Sequence, residues 1–344
     1  MKSRWLLAAI AASLTIGTAG WAFDTVKTTE TTVTGTVKTL SPLKVDVDRN
    51  GVIMEIPVNE VVTIYFDDEP TLMKTARTHL IGGHYQEALD SIDKIKPEDV
   101  TSAAVEQDIA YYKAYCAAQL ALGGTGAVTD AGRAMAIFVS QNPNSYHYYE
   151  ACEVVGDLLV AVGKYADAET YYLRVAQAPW SDYKMRAGIG LGRARLAQNQ
   201  VPQAQQAFDA VLAMPADSDL AKAQHLAANL GKARCLAASG QQEPAIAMIE
   251  KIVDNADPED VELHARAYNT LGAALRKANR PNDALMAYLH VDVLYFTVPE
   301  AHAEALANLV ELWNNMAKTE RAVRARKTLM DRYPNSPWAK QQGG

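Results

Sequence analysis

The sequence predicts a mostly α-helical protein, an α-solenoid of stacked helix pairs preceded by a small N-terminal β module. Three observations predict it. The chain changes character near Pro70, from alternating Val, Ile and Thr to Ala- and Leu-rich segments of helical period. The helical part is self-similar at a spacing of about 34 to 46 residues, the mark of a repeat array. With 49% hydrophobic and 21% charged residues over 344 positions, the composition is that of an ordinary folded chain and not of disorder or a bundle of membrane spans.

Residues 1–22 read as a secretory signal. Lys2 and Arg4 make a basic start, Trp5 to Ile16 a short apolar run, and Gly20-Trp21-Ala22 offers small residues where a signal peptidase looks. The expected cut follows Ala22. No cysteine stands near it, which argues against a lipid-anchored variant. The alternative is an uncleaved anchor, but the apolar run is short for a bilayer span. No integral span is expected in the mature chain. Loss of Lys2 and Arg4 takes the net charge from -7 to about -9. So acidic a chain repels phosphate backbones and anionic headgroups, so no nucleic-acid partner is expected.

Residues 23–69 form the β module. Thr31–Leu40, Leu43–Val47, Val52–Ile56 and Val61–Phe66 read as strands. Asn50-Gly51 is a hairpin turn, since both residues tolerate positive φ. Asp46-Val47-Asp48-Arg49-Asn50-Gly51 also matches half of a calcium loop, but Pro57 stands where the bidentate acid belongs and the flanks are strands. The hairpin is preferred. Asp67-Asp68-Glu69 reads as an acidic, solvated helix start, and Asp254 to Asp260 as another.

Residues 70–340 carry the repeats. Gly83-His-Tyr-Gln-Glu-Ala88, Gly163-Lys-Tyr-Ala-Asp-Ala168, Asn199-Gln-Val-Pro-Gln-Ala204, Gly240-Gln-Gln-Glu-Pro-Ala245 and Asn279-Arg-Pro-Asn-Asp-Ala284 each place alanine five positions after a turn residue. Four further on comes a large side chain: Ile92, Tyr172, Phe208, Ile249 and Tyr288. Upstream stand Val155-Gly156, Leu191-Gly192 and Leu271-Gly272. This pattern resembles the tetratricopeptide repeat. The resemblance implies antiparallel helix pairs that cross at the small residues, with the aromatic plugging the gap. Pro179, Pro215 and Pro334 end units. About seven units are expected. The unit from Ala110 to Pro143 departs from the pattern with Gly123, Gly124 and Gly126 in its turn, and the Cys235 unit has Leu230-Gly231 displaced. The layout of signal, β segment and repeats resembles exported bacterial envelope proteins of this family, and that resemblance implies a periplasmic, non-enzymatic scaffold for other proteins.

Little in the chain suggests chemistry. Cys116, Cys152 and Cys235 are odd in number, far apart and set in apolar helical patterns, so buried free thiols are expected. The seven histidines show no zinc spacing, and no nucleophile elbow or Walker loop occurs. No catalytic residue, metal or cofactor is therefore assigned. Tyr111, Tyr112, Tyr115, Tyr146, Tyr148 and Tyr149 read as packing residues, with a sticky interface as the alternative.

The resemblance implies a concave groove lined by the first helix of each pair. It places Glu150, Glu153 and Asp157 there, then Arg186 and Arg193, then Arg266, Asn269, Arg276 and Lys277, and last Glu304, Glu311 and Asn314. The candidate peptide-binding residues are Arg186, Arg193, Arg266, Asn269, Arg276 and Lys277, and the expected partner is a protein or peptide, acidic or carboxylate-ended. The competing reading is a solvated helix face whose cations pair with neighbouring carboxylates. A different function is also open: a cell-wall or polysaccharide-associated factor whose β module binds glycan while the repeats recruit an enzyme.

Overall fold

The structure is a computed structural model that describes residues 23–343. The expected signal peptide, cut after Ala22, lies outside the described residues. Five strands come first: β1 (Asp24–Thr28), β2 (Thr32–Leu40), β3 (Lys44–Arg49), β4 (Val52–Pro57) and β5 (Val61–Tyr65). They form one antiparallel sheet in the order β4-β3-β2-β1-β5. The sequence shows only four of these; β1 is short and directly follows the expected cleavage site. Its Asp24 ties the sheet together. One carboxylate oxygen accepts from Val37 N at 2.7 Å, at the bulge in β2, and the other from Asp67 N at 2.9 Å. Asn50 and Gly51 turn β3 into β4 with φ of 58° and 86°. Asp48 Oδ1 accepts from Gly51 N at 2.8 Å, so it serves the turn.

Fifteen helices follow among the described residues. Fourteen pair as α1 (Thr71–Ile81) with α2 (Tyr85–Ile92), α3 (Ala103–Leu122) with α4 (Val128–Gln141), α5 (Tyr148–Ala161) with α6 (Tyr165–Val175), and α7 (Ser181–Ala197) with α8 (Val201–Leu212). Then come α9 (Asp219–Ala238) with α10 (Gln242–Asn255), α11 (Val261–Lys277) with α12 (Pro281–Leu294), and α13 (Pro299–Asn315) with α14 (Thr319–Arg332). A short α15 (Pro337–Gly343) ends the array. The result is seven pairs, the number the repeat spacing predicts.

The glycines explain how the pairs pack. A Cβ on Gly156 or Gly190 would lie 2.6 Å from the Tyr172 ring, and one on Gly192 or Gly231 within 2.5 Å of the Phe208 ring. Each aromatic of a second helix is thus clamped between the first helix of its own pair and the first helix of the next. Tyr172, Phe208 and Tyr288 are each 1% exposed. Burying such a ring is worth roughly 1.5–3 kcal/mol. The displaced Gly231 is therefore no defect in its repeat. It sits two positions before Ala233, which occupies the self-contact position, and it accommodates Phe208 of the preceding pair.

The chain divides into two compact units. Unit 1 holds the sheet, α1, α2, most of α3, and residues 131–155; unit 2 holds residues 120–130 and 156–343. Within unit 2 the glycine-rich turn meets the C-terminal end of the array. Asn335 donates its backbone N–H to Gly124 O at 2.9 Å and its side-chain amide to Thr125 O at 2.8 Å. Gly124 has φ of +83°, and a Cβ there would lie 3.1 Å from the Cβ atoms of Tyr333 and Ser336. That turn departs from the repeat pattern because it packs against residues about 210 positions away.

Unit 1 holds a buried charge cluster that corrects the reading of Glu69 as a solvated cap. Glu69 is 7% exposed and accepts from Arg77, whose other terminal nitrogen donates to Asp108 at 2.6 Å. Asp108 is wholly buried and also accepts from Tyr146 Oη at 2.7 Å, with His147 Nε2 at 3.1 Å. The guanidinium lies between the Tyr65 and Tyr112 rings, and His147 stacks on Tyr111 at 3.6 Å. The tyrosines expected to pack do so here: Tyr111 and Tyr146 are buried, and Tyr112 is half-buried. Cys116, Cys152 and Cys235 are buried free thiols.

Candidate functional site

The first helices of unit 2 bring their polar residues onto one face. A left-handed residue closes each of these helices: Gly163, Asn199, Gly240, Asn279 and Ala317. Counting six back from each gives Asp157, Arg193, Arg234, Ala273 and Glu311. Counting thirteen back from the last four gives Arg186, Ala227, Arg266 and Glu304. The face curves inward. Arg193 on α7 and Glu300 on α13 influence each other electrostatically although they are three pairs apart. Helices packed about 8–10 Å apart in a flat layer would hold them beyond reach. Unit 2 therefore has a concave groove, and its polar lining is the candidate site.

Most of the groove's charges are already matched. Arg193 lies 3.6 Å from Asp157 Oδ1. Arg266 reaches Glu262 at 3.0 Å and Glu300 at 3.3 Å. Arg276 bonds Glu311 at 2.7 Å and also Asn308. Asn269, 2% exposed, donates its amide to Ala301 O at 2.8 Å and to Glu304 at 3.2 Å, while its Oδ1 has no partner. Of the six residues expected to bind, the structure brings Arg193, Arg266, Asn269 and Arg276 into this network. Arg186 instead stacks over the Tyr183 ring at 4.8 Å. Lys277 is exposed at the end of α11. For Arg193, Arg266 and Arg276 the pairing with carboxylates is the arrangement found.

Arg234 also breaks the pattern, and it was not among the residues expected to bind. Arg234 is exposed in the groove and makes no hydrogen bond or ion pair with the described residues. At its level, the preceding first helix presents Arg193 and the following one presents Ala273. Neither can neutralise it. The groove walls strip water from the guanidinium and Arg193 and Arg266 repel it, so its proton affinity falls below the ordinary value despite Glu304 and Glu300 nearby. Arg193, in the equivalent position, moves the other way. Burial opposes its charge, but Asp157, Glu300, Tyr172 and Glu262 outweigh that and raise it. The acids respond in kind. Burial is the largest influence on Glu304 and raises it. Glu300 is lowered: burial opposes ionisation there, and the Arg266, Arg193 and Arg234 guanidiniums prevail. Aligning α9 on its turn Gly240, rather than on Leu230-Gly231, would have put Arg234 beside Arg193 in the sequence.

No family model matches the chain, and no curated protein matches it. Solved structures do. A tetratricopeptide repeat protein from Parabacteroides merdae ATCC 43184 superposes with a TM-score of 0.53 at 15% identity, over 78% of this chain and 95% of that one. The helices fold as tetratricopeptide repeats. The apo quorum sensor NprR from B. thuringiensis gives 0.55 at 12% identity, over 76% and 74% of the two chains. A Rap protein complexed with competence and sporulation factor gives 0.51 at 11%, over 78% and 75%. At these identities the likeness is one of fold. Within that fold, tetratricopeptide pairs α5–α6 to α13–α14 present the charged groove on their first helices. No helix among the described residues is long and apolar enough to cross a membrane.

Proposed function

We propose that this protein is a non-enzymatic scaffold of the bacterial cell envelope, exported by its N-terminal signal, that holds an extended segment of another protein in the unit 2 groove. The observation that carries this reading is the groove itself, a concave face with charged side chains from five consecutive helix pairs. A repeat array offers such a surface to an extended partner far more readily than it closes a catalytic pocket. The Rap protein of the same fold, complexed with competence and sporulation factor, is consistent with it. Site-specific photo-crosslinking in the native cell tests it. With benzoylphenylalanine at Ala273 in the groove, at Met286 on α12 and at Ile53 on β4, partner adducts should form at Ala273. Adducts confined to Met286 or Ile53 would place binding elsewhere. Export has its own test, the intact mass of the protein recovered from the envelope. Retention of residues 1–22 there would rule out the cleaved signal.

A further inference from the structure

We propose that β4 is a dimerisation edge, pairing antiparallel with β4 of a second copy so that Met54 meets Met54 at the two-fold axis. The interface goes beyond the scaffold reading and does not depend on it. The two edges of the sheet differ. β5 leans on α3: Thr63 and Ile64 are buried, and Thr63 Oγ1 lies 3.5 Å from Tyr112 Oη. β4 is bare. Val52, Ile53 and Met54 run in succession at 66%, 51% and 36% exposed. The ladder with β3 shows which backbone groups are open. Val58 N donates to Leu43 O at 3.1 Å, and antiparallel pairs two residues apart bond alike. Ile56, Met54 and Val52 therefore direct their backbone groups to Val45, Val47 and Arg49 of β3. Ile53 and Glu55 direct theirs outward, and no strand among the described residues receives them.

Folded proteins usually blunt such an edge with a bulge, a lysine or a proline. The β3–β4 ladder runs without a bulge, whereas β1 and β2 each carry one. β4 has no lysine, and its proline, Pro57, stands at the very end. The strand is also its own complement. With Ile53 opposite Glu55 of the second copy, the Ile53 amide reaches the Glu55 carbonyl and the Glu55 amide reaches the Ile53 carbonyl. Symmetry repeats both bonds. Every outward N–H of β4 is then used, and Pro57, which has none, falls just beyond. The side chains agree. Val52, Met54 and Ile56 share a face with the buried Val45 and Val47 of β3. In this register Val52 meets Ile56 of the second copy and Met54 meets its twin, which extends that apolar face. On the other face Glu55 stands opposite Ile53 and keeps its ion pair with Lys44 at 2.6 Å. Setting Glu55 against Glu55 would oppose like charges. An unrelated strand must supply this pattern from outside, whereas a second copy carries it already. Each dimer holds two grooves, which raises avidity for a partner with two binding segments.

Sedimentation equilibrium of the full chain tests this, from about 1 μM to about 500 μM, because an interface of one strand is below standard size and gives a weak dimer. The wild type should pass from monomer to dimer over that range. Ile53→Pro removes only an outward N–H, so the hairpin keeps its own ladder, unchanged circular dichroism checks this, and the dimer dissociation constant should rise at least about tenfold. Met54→Lys should weaken the dimer likewise, and Val62→Lys, on the far edge, should leave it unaltered. Cysteine crosslinking reads the register, since the native thiols are buried. Facing residues of a non-hydrogen-bonded antiparallel pair have Cα atoms about 4.5 Å apart, within disulfide reach. Met54→Cys should therefore give a disulfide-linked dimer on mild oxidation. Ile53→Cys, whose twin lies diagonally across, should react about tenfold more slowly. A chain that stays monomeric throughout, a dimer indifferent to both Ile53→Pro and Met54→Lys, or faster crosslinking through Ile53→Cys overturns the proposal. The groove reading keeps its own readout, because partner adducts at Ala273 do not depend on the dimer. A photo-adduct at Ile53 with the mass of two copies of this chain belongs to this interface.

Discussion

The two units use the same residue types to opposite ends. In unit 1, Arg77 is 1% exposed, sandwiched between two tyrosine rings and bonded to two buried carboxylates. In unit 2, Arg234 is exposed and has no partner within bonding distance. Both are arginines on first helices of repeat pairs. What separates them is what the sequence places opposite: Glu69, Asp108 and an aromatic shell in one case, Arg193 and alanine in the other. A charge that the fold has already matched is a structural element, whereas one left unmatched is open to a partner. Substitutions in each unit test that difference.

The largest effect is expected at Arg77. Removing one member of a buried charged cluster strands the others in low dielectric, at a cost of about 3–5 kcal/mol. Arg77→Ala leaves Glu69 and Asp108 facing each other without a cation. Hydrogen exchange should show α1 and α3 losing protection while α11 and α13 keep theirs, since each helix pair leans mainly on its neighbours. Unchanged protection in α1 and α3 would mean that the cluster adds little and that the contrast with unit 2 is false.

Unit 2 packs aromatic rings of its second helices against glycines of its first helices, and Gly231 tests that fit. Glycine to alanine inside a helix normally gains about 0.5–1 kcal/mol. A Cβ on Gly231 would lie 2.3 Å from the Phe208 ring, so the ring or the helix must shift. Overpacking of this kind costs about 1–3 kcal/mol, which reverses the sign. Gly231→Ala should therefore lower the thermal midpoint, and Gly240→Ala, in open space but at φ of +81°, should lower it through backbone strain instead. The double variant Gly231→Ala with Phe208→Leu should recover part of the first loss and none of the second.

A smaller effect distinguishes the clusters by pH. Burial opposes ionisation of Asp108, but bonding to His147, the Arg77 charge and the Tyr146 hydroxyl prevail, and its pKa lies below the usual range. A group lowered on folding stabilises fully above its unfolded value, about 3.9, and the contribution is lost as pH falls through the folded value. Glu69 has the opposite sign. Burial raises it, so its contribution is complete below the unfolded value and is lost as pH rises through the folded one. In urea titrations the gap between wild type and Asp108→Asn should narrow below about pH 4. A gap that stays constant there would show that Asp108 is not ionised in the folded protein.

The fold was largely legible in the sequence because its determinants are local. Turn residue, alanine and aromatic recur within one helix pair, and each does in the structure what its spacing implies. The departures came from contacts between pairs. Gly231 answers to Phe208 of the pair before it, and Gly124 to Tyr333 and Ser336 at the far end of the chain. The groove was legible as a face but not as a charge balance. Asp157 opposite Arg193, and Glu311 opposite Arg276, lie about 35 residues apart or more, and which acid meets which arginine depends on the register between neighbouring pairs. Arg234 was hidden for that reason. Its helix looks displaced when aligned on its glycine, and only the turn shows that it shares a level with Arg193.

The smallest expected change carries the opposite sign from the first. Arg234 makes no hydrogen bond or ion pair among the described residues, so the folded chain bears a cost for its charge. The groove strips water from it, Glu304 and Glu300 attract it without outweighing that loss and the repulsion of Arg193 and Arg266, and no hydrogen bond compensates. Replacing it with a neutral side chain of similar reach should then leave stability unchanged or raise it, by up to about 0.5 kcal/mol for so exposed a site. Arg234→Gln should melt at or slightly above the wild-type temperature, and any gain should shrink as added salt screens the repulsion in the wild type. Arg276→Ala, which breaks a pair with Glu311, should go the other way by less than about 1 kcal/mol. A clear loss of stability in Arg234→Gln would show that the guanidinium is bound within the fold, to Glu304 or Glu300. A neutral or stabilising result is what an unmatched charge, kept at some expense to the fold, should give.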